Sequence, residues 1–179
     1  MTEICLIITI ITALAGVLIA WWQWRNGNQI ARADFIHRFT QGFFNGEARD
    51  LIMLLDYDCL RFRIKAIDCG DYPYFEIIPS ELNEVRDDKS RRIYTAYEID
   101  DLILGRFEDI AYYEKKGMID IQMVYEGFGW YIKTIWENTA ILEYIAWQRN
   151  EAGPDVYDGF EYIYKKSKAY GDKKKKEDA

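Results

Sequence analysis

The sequence predicts a mainly α-helical protein, in which one N-terminal transmembrane helix precedes a small helical bundle with a β-hairpin insertion. Three observations lead to this fold class. An uncharged apolar run occupies residues 4–22. Apolar residues then recur at spacings of three and four through most of the chain, which is the period of an amphipathic helix. One short stretch instead alternates apolar and charged residues, which is typical of a strand.

The apolar run has the length of a membrane-crossing helix, since about 20 residues at about 1.5 Å each span a hydrocarbon core of about 30 Å. It differs from a cleaved signal peptide, because no Lys or Arg precedes it and it continues well beyond the small residues at 13 and 15. The sequence therefore predicts that residues 1–27 form an uncleaved membrane anchor and its exit from the bilayer. The predicted membrane-interface residues are Trp21, Trp22, Trp24 and Arg25.

Basic residues near this anchor predict its orientation. None precedes the run, whereas Arg25, Arg32 and Arg38 follow it, so the positive-inside rule places the N-terminus outside and the rest of the chain in the cytoplasm. The three cysteines include no Cys-x-x-Cys pair and indicate neither a disulfide framework nor a zinc site. We therefore expect a single-pass protein of a bacterial inner membrane, with the lipid bilayer as one partner.

Residues 28–164 form the predicted cytoplasmic domain, which is long enough for one hydrophobic core. Within it, residues 60–66 alternate apolar and basic side chains, as in a strand with one solvated face. The turn-forming residues 68–71 and the returning stretch 74–78 complete a predicted hairpin over about residues 60–78.

Helix start and stop signals divide the rest of this domain. Gly117 and Gly153 are typical of helix ends, whereas Asp120 and Asp155 can cap the helices that follow them. Short connections between these helices favour antiparallel neighbours in a bundle. Two glycines inside an apolar helix predict close packing against a neighbouring element: Gly127 and Gly129.

Charge is unevenly distributed along the chain, whose formal net charge is −7. Residues 165–179 hold seven lysines against three acidic residues, so residues 1–164 carry 16 basic and 27 acidic groups and a formal charge of −11. A body this acidic argues against a long nucleic acid as partner, because a basic stripe is the usual footprint. The lysine-rich tail at 165–179 is expected to be solvated and disordered, with contact to anionic lipids as the alternative.

No motif specifies catalysis, so we predict no catalytic residue, no metal site and no cofactor, and we do not expect an enzyme. His37 is the single histidine, and on an apolar stretch a histidine usually has a packing role. Asp34 and His37 are three residues apart, a spacing that suits two metal ligands on one helix face, but metal sites in bundles need two such pairs. Asp101 and Glu108 lie seven apart and are interpreted as the solvated side of an amphipathic helix.

One basic cluster inside the domain is the candidate ligand site. Arginine forks suit phosphates, and a neighbouring tyrosine can stack on a base, so a small anionic or nucleotide ligand is predicted here. The alternative is a salt-bridged surface turn, because Asp87 and Asp88 are interleaved with the basic residues. The predicted ligand-binding residues are Arg86, Lys89, Arg91, Arg92 and Tyr94.

A longer pattern resembles a family of small bacterial membrane proteins that have one N-terminal span, a helical cytoplasmic domain and no assigned function. The residues that carry the resemblance are Phe107–Asp120, Val124, Phe128, Gly129, Trp136, Glu137, Arg149 and Tyr157–Tyr164. They are packing and capping residues, and the hairpin at residues 60–78 departs from the pattern. The architecture is also similar to small membrane effectors of bacterial antiviral defence, including those gated by cyclic nucleotides.

These features predict an oligomeric, membrane-anchored effector or sensor of antiviral defence. Its cytoplasmic domain is expected to bind a ligand, with a cyclic nucleotide as one option, or a partner, and then to perturb the membrane. The alternative is a membrane-tethered adaptor for a protein partner, without ligand gating. Small and polar residues along the predicted span favour helix–helix contact and a homo-oligomer: Thr9, Thr12, Ala13, Ala15 and Gly16.

Overall fold

The structure is a computed structural model that divides the chain into two compact units, Met1–Phe39 and Thr40–Ala179. It describes residues 14, 16–23, 27, 32, 34, 36–37, 39–41, 43, 46–67, 70–86 and 88–177. The described residues of the first unit are helical.

The predicted transmembrane helix is wrong. Among the residues that the structure describes, no helix is both long and apolar enough to cross a membrane. This finding overturns the transmembrane part of the predicted fold class and the predicted single-pass inner-membrane localisation.

Several residues of that prediction lie outside the described part of the chain. They are residues 4–13 of the predicted span, the interface residues Trp24 and Arg25, and four of the five residues proposed for oligomer contacts, Thr9, Thr12, Ala13 and Ala15. The interface residues Trp21 and Trp22 are described, and both are exposed in the helical run.

The second unit is mainly helical and contains a three-stranded antiparallel sheet of order β1-β2-β3. Its elements are α1 (Gly46–Asp56), β1 (Leu60–Ile67), β2 (Gly70–Ile77), a 3₁₀ turn (Glu81–Glu84), β3 (Ile93–Thr95), α2 (Ala96–Ile99), a π-helical segment (Asp100–Leu104), α3 (Gly105–Lys115), α4 (Ile121–Trp136), α5 (Thr139–Ala152) and α6 (Asp158–Glu177). The hairpin of β1 and β2 lies where the alternating pattern placed it, and β3 adds a third strand to it.

Side-chain caps fix where the helices begin. Thr95 and Glu98 form a capping box at α2. The carboxylate of Asp120 accepts a hydrogen bond of 2.9 Å from the backbone N–H three residues later, as its predicted capping role requires. Asn138 caps α5, and its side-chain amide also donates to the Leu55 carbonyl at 3.0 Å, which fixes α5 against the end of α1.

Aromatic rings fill the core of this unit. Phe107 of α3 stacks on Phe160 of α6 with ring centroids 4.6 Å apart, and Phe75 of β2 meets Tyr144 of α5 edge-on at 5.4 Å. Such rings bury about 150–250 Å² each and dominate core energetics. These aromatic contacts join the sheet to α5 and join α3 to α6. Helices α4 and α6 also pack side by side.

Residues 165–177 form the second half of α6, which differs from the disordered tail expected from their composition. Lys166 pairs with the buried Glu114 of α3 at 2.7 Å, and Lys174 pairs with Glu126 of α4 at 3.5 Å. These contacts explain the difference, because the two lysines flank buried residues of the same segment, Ser167 and Gly171, that pack against α4.

Candidate ligand-binding groove

A groove of about 480 Å³ runs between α4 and α6. Its volume lies within the range of about 300–1,000 Å³ that is usual for small-molecule sites. Both walls carry aromatic side chains: Tyr125, Trp130 and Tyr131 come from α4 and Tyr164 from α6. The groove therefore presents flat apolar surfaces from two different helices.

Two glycines allow the floor of the groove to form. A Cβ atom on Gly171 would lie 2.5 Å from Cε2 of Tyr125, and one on Gly129 would lie 3.1 Å from Cδ2 of the same ring. The first distance is shorter than real Cβ contacts, so the Tyr125 ring can lie against α6 only because position 171 has no side chain. The predicted close packing of a glycine in α4 is thereby confirmed at Gly129.

Ser167 on the floor of the groove has a hydroxyl that makes no hydrogen bond with a described residue. The residue is 3% exposed, lines the groove, and makes no side-chain hydrogen bond with any residue that the structure describes. A Cβ on Gly129 would lie 3.5 Å from its Oγ atom, so the hydroxyl faces the bare side of α4. The Oγ atom is open to the groove, so it marks a position where a ligand atom or a water can bind.

The rim of the groove is locally basic. It carries three lysines, Lys133, Lys168 and Lys175, and two carboxylates, Glu126 and Asp172. Lys174 already engages Glu126 at 3.5 Å, whereas Lys133 and Lys175 make no ion pair within 4.0 Å in the described part of the chain. A locally basic site on a chain with a net charge of −7 attracts anions.

Lys168 is held in place by Tyr164 and Glu137. The Tyr164 hydroxyl donates to Oε1 of Glu137 at 2.7 Å, and Nζ of Lys168 donates to the Tyr164 hydroxyl at 3.1 Å. The hydrogen bond to Tyr164 raises the pKa of Lys168 above its usual value. Trp136 stacks on the Tyr164 ring with centroids 5.6 Å apart, so this wall of the groove is rigid and its cation stays charged at neutral pH.

The predicted ligand-binding cluster lies elsewhere, around β3. The Arg91 guanidinium lies 4.0 Å from the centroid of the Tyr94 ring, so the structure brings these two predicted residues together. The same guanidinium pairs with Glu47 of α1 at 3.1 Å and with Glu98 of α2. An anion at Arg91 would therefore compete with these two carboxylates.

The other members of that cluster are also engaged. Arg86 is 2% exposed and donates to the Arg91 carbonyl at 3.3 Å. Arg92 donates to the carbonyl of Lys89 at 3.1 Å, and the Lys89 ammonium lies 3.7 Å from Glu84. A ligand at this cluster stays a prediction.

The acidic pair singled out in the sequence has two different roles. Asp101 is exposed, as expected for a solvated face, but Glu108 accepts a hydrogen bond of 2.6 Å from the backbone N–H of Phe160. Glu108 therefore caps the start of α6, in the place expected for Asp155. His37 and Asp34 are both exposed, and no group of three potential metal ligands occurs within the described ranges.

The sequence analysis missed a polar cluster at the π-helical segment. Asp100 accepts hydrogen bonds from the hydroxyls of Tyr144, at 2.8 Å, and Tyr157, and Gln148 donates to the Tyr144 hydroxyl at 2.7 Å. Burial raises the pKa of Asp100, and burial also raises the pKa of Tyr144 to about 12, so both tyrosines remain hydrogen-bond donors at neutral pH. The partners lie 44 and 57 residues from Asp100, and no local pattern links them.

The α4–α6 groove, unlike the Asp100 cluster, has a signal in the local sequence. Phe160, Ile163, Ser167 and Gly171 are all buried and follow one another at helical spacings of three and four. The last two are small or polar, so the stripe was not recognised, and the lysines around it indicated a tail. Treating small residues as part of an apolar stripe would have extended α6 and revealed its packed side.

Comparisons of the chain with protein-family models, with curated proteins and with solved structures find no match. The resemblance to a family of small bacterial membrane proteins therefore stays a prediction.

Proposed function

We propose that this chain is a binding module that holds a small anionic ligand with an aromatic ring in the groove between α4 and α6. The observation that carries the proposal is the lining of the groove, where the Ser167 hydroxyl, which makes no hydrogen bond with a described residue, lies between aromatic walls and below a basic rim. A ligand in the groove can accept a hydrogen bond from this hydroxyl or donate one to it.

Different residues of the groove lining match the aromatic ring and the anionic group of such a ligand. The exposed ring of Trp130 offers a stacking surface, and the Tyr125 hydroxyl, which makes no hydrogen bond with a described residue, is a second polar contact. Lys133 and Lys175 supply uncompensated positive charge for a phosphate or carboxylate. A nucleotide has both a stacking ring and a phosphate, and it is the ligand class that we propose.

Binding rather than catalysis is the proposed activity. A serine nucleophile needs a neighbouring base within hydrogen-bond reach, and the Ser167 hydroxyl has no such neighbour in the described residues. The lining contains neither histidine nor cysteine. The proposal keeps the ligand-sensing part of the function predicted from the sequence, without its membrane part, and the role in antiviral defence stays a prediction.

Docking of a protein partner at Trp130 is the second candidate function. Trp130 is 52% exposed and also borders a depression of about 240 Å³ that Ile52 and Met53 of α1 line. An exposed tryptophan beside apolar pockets is typical of the few residues that dominate protein interfaces. A change at Trp130 would affect both functions, whereas the lysines at 133 and 175 distinguish them, because only the anionic ligand depends on their charge.

Isothermal titration calorimetry of the full chain tests the first proposal. The titrants are the four common nucleoside monophosphates, with adenosine and inorganic phosphate as fragments that carry only the ring or only the charge. We expect at least one nucleotide to bind about tenfold or more tightly than either fragment, since the two parts of the ligand contact different walls of the groove.

Matched variants locate that binding. Lys133→Gln/Lys175→Gln is expected to weaken nucleotide binding at least fivefold, whereas Lys115→Gln/Lys116→Gln, which removes the same charge from the exposed end of α3, is expected to leave it unchanged. Equal losses in the two variants, or no nucleotide binding by a chain with its full helical circular dichroism, would contradict the proposal.

A further inference from the structure

The exposed side of the β1–β2 hairpin carries a second set of side chains that the groove does not use. Residues directly opposite each other in an antiparallel pair share a face, and so do alternate residues of one strand. The cross-strand pairs on the exposed face are Arg61–Glu76, Arg63–Tyr74 and Lys65–Tyr72. We call these six residues the basic sheet face; the opposite side of the same strands packs into the core through Leu60, Phe62 and Phe75.

The cations of the basic sheet face are available to a ligand. All three are exposed. Arg63 lies 3.5 Å from Glu76, which is the one carboxylate of the set. Arg61 and Lys65 make no ion pair within 4.0 Å with any part of the chain that the structure describes. Three cations against one carboxylate make this face locally basic, with two charges uncompensated.

The two tyrosines of the face are available as well. Tyr72 is 47% exposed and Tyr74 is half-buried. Neither ring stacks on another aromatic ring, and neither hydroxyl is hydrogen-bonded, within the described ranges. The two positions alternate along β2 across Pro73, so their Cα atoms lie about 6.6 Å apart, and both rings leave the same side of the sheet.

We propose that the basic sheet face binds a short single strand of nucleic acid. Two neighbouring bases stack on Tyr72 and Tyr74, while the backbone phosphates meet Arg61, Arg63 and Lys65. Unstacked bases on aromatic side chains, flanked by Lys or Arg, are the general mode of single-strand recognition, and it tolerates any sequence because every base has a flat face.

The surroundings limit the length of this footprint. Asp58 and Glu143 share a depression of about 420 Å³ with Arg61 and Arg63, so negative charge borders the face at one end. The acidic body of the chain argues against a duplex or a long strand, which needs a continuous basic stripe. A footprint of two or three nucleotides matches two tyrosines and three cations. The face shares no residue with the α4–α6 groove, and the inference does not depend on the proposed function of the groove.

Fluorescence anisotropy of a labelled short oligouridylate, titrated with the full chain over a range of salt concentrations, tests the inference. Three phosphate contacts predict a slope of log K against log salt of about −2, since each contact to a single strand contributes about −0.7. Arg61→Gln/Lys65→Gln is expected to reduce the slope to about −0.7. Tyr72→Ala is expected to weaken binding at least fivefold at an unchanged slope, because it removes stacking and no charge.

A charge-matched control and two competitors decide the outcome. Lys173→Gln/Lys176→Gln removes two exposed cations from the end of α6 and is expected to leave affinity and slope unchanged. Duplex RNA of the same sequence and polyglutamate are expected to compete poorly. The inference is overturned if the control loses as much affinity as Arg61→Gln/Lys65→Gln, or if no binding occurs at low salt. It is also overturned if polyglutamate competes as well as the oligouridylate while Tyr72→Ala has no effect, because that result would indicate an acidic peptide as the ligand.

Discussion

At the scale of single residues, the candidate groove is marked by the Ser167 hydroxyl, which makes no hydrogen bond with a described residue. Ser167 is buried on α6 beside Gly129, and every other buried side chain on its helical stripe is apolar or glycine. An alanine would fill the same place in the stripe without a hydroxyl to desolvate. The serine therefore gives the floor of the groove a polar contact that the packing of the helix does not require.

The variant Ser167→Ala separates these two effects. We expect its free energy of unfolding in urea to be unchanged or higher by up to about 1 kcal/mol, since the hydroxyl that is removed makes no hydrogen bond with a described residue. Nucleotide affinity should fall about two- to tenfold, which corresponds to one hydrogen bond of about 0.5–1.5 kcal/mol. A loss of stability greater than about 1 kcal/mol would instead show that the hydroxyl has a structural role.

The polar cluster around Asp100 gives a second prediction, on pH dependence. Burial raises the pKa of Asp100, whereas the hydrogen bond from Tyr157 favours its ionised form and lowers that pKa. Tyr157→Phe removes the donor, so the pKa of Asp100 in the folded protein rises further and the folded state binds its proton up to a higher pH. The stability lost in the variant is therefore small at low pH and grows as the pH rises through the raised pKa of Asp100.

Urea denaturation at several pH values measures this loss. At neutral pH we expect about 1.5–3 kcal/mol, the usual value of a hydrogen bond to a charged group. Tyr112→Phe is the control, because that exposed hydroxyl has no hydrogen-bond partner in the described residues. A loss for Tyr157→Phe that stays constant with pH would show that Asp100 does not titrate in this range.

At the scale of elements, local patterns predicted what depends on local sequence and failed where distant residues decide. The hairpin was predictable, because alternation along β1 is a property of eight consecutive residues. β3 was not, because its three residues are a strand only through pairing with residues 74–76 of β2. The second half of α6 was misjudged for the same reason, since its lysines surround Ser167 and Gly171, whose packing depends on Tyr125 of α4.

The packing of α4 on α6 yields a prediction of its own. Alanine is normally favoured over glycine within a helix by about 1 kcal/mol. Gly171→Ala should nevertheless destabilise the chain by about 1–3 kcal/mol, because its Cβ would lie 2.5 Å from Cε2 of Tyr125 and α4 must move away. Tyr125→Leu in the same chain removes that ring atom, so the double variant should recover most of the loss in a double-mutant cycle. Additive losses in urea denaturation would contradict this account of the groove floor.

At the scale of the whole molecule, the net charge of the chain does not describe the local charge of its individual surfaces. The chain carries −7 overall, yet the groove rim and the basic sheet face each have more cations than carboxylates. Composition argued against a long nucleic acid as partner, but it could not show these two local excesses, because they depend on which side chains the fold brings to one surface. The membrane anchor shows the opposite error: an apolar run and its flanking residues predicted it, and the described helices do not bear it out.

A ligand that binds only the folded chain must also stabilise the molecule as a whole, and this gives the last prediction. At a nucleotide concentration of about 100 times Kd, the linkage between binding and folding adds about 2.7 kcal/mol to the free energy of unfolding. For a chain of 179 residues, this corresponds to a rise in the unfolding midpoint of roughly 5–10 °C. Differential scanning fluorimetry measures it, and Lys133→Gln/Lys175→Gln should lose most of the shift while keeping the midpoint of the ligand-free chain. Because α4 and α6 each contribute one wall, a ligand in the groove stabilises the contact between them. An equal shift with inorganic phosphate alone would show that the aromatic walls do not contribute to ligand binding.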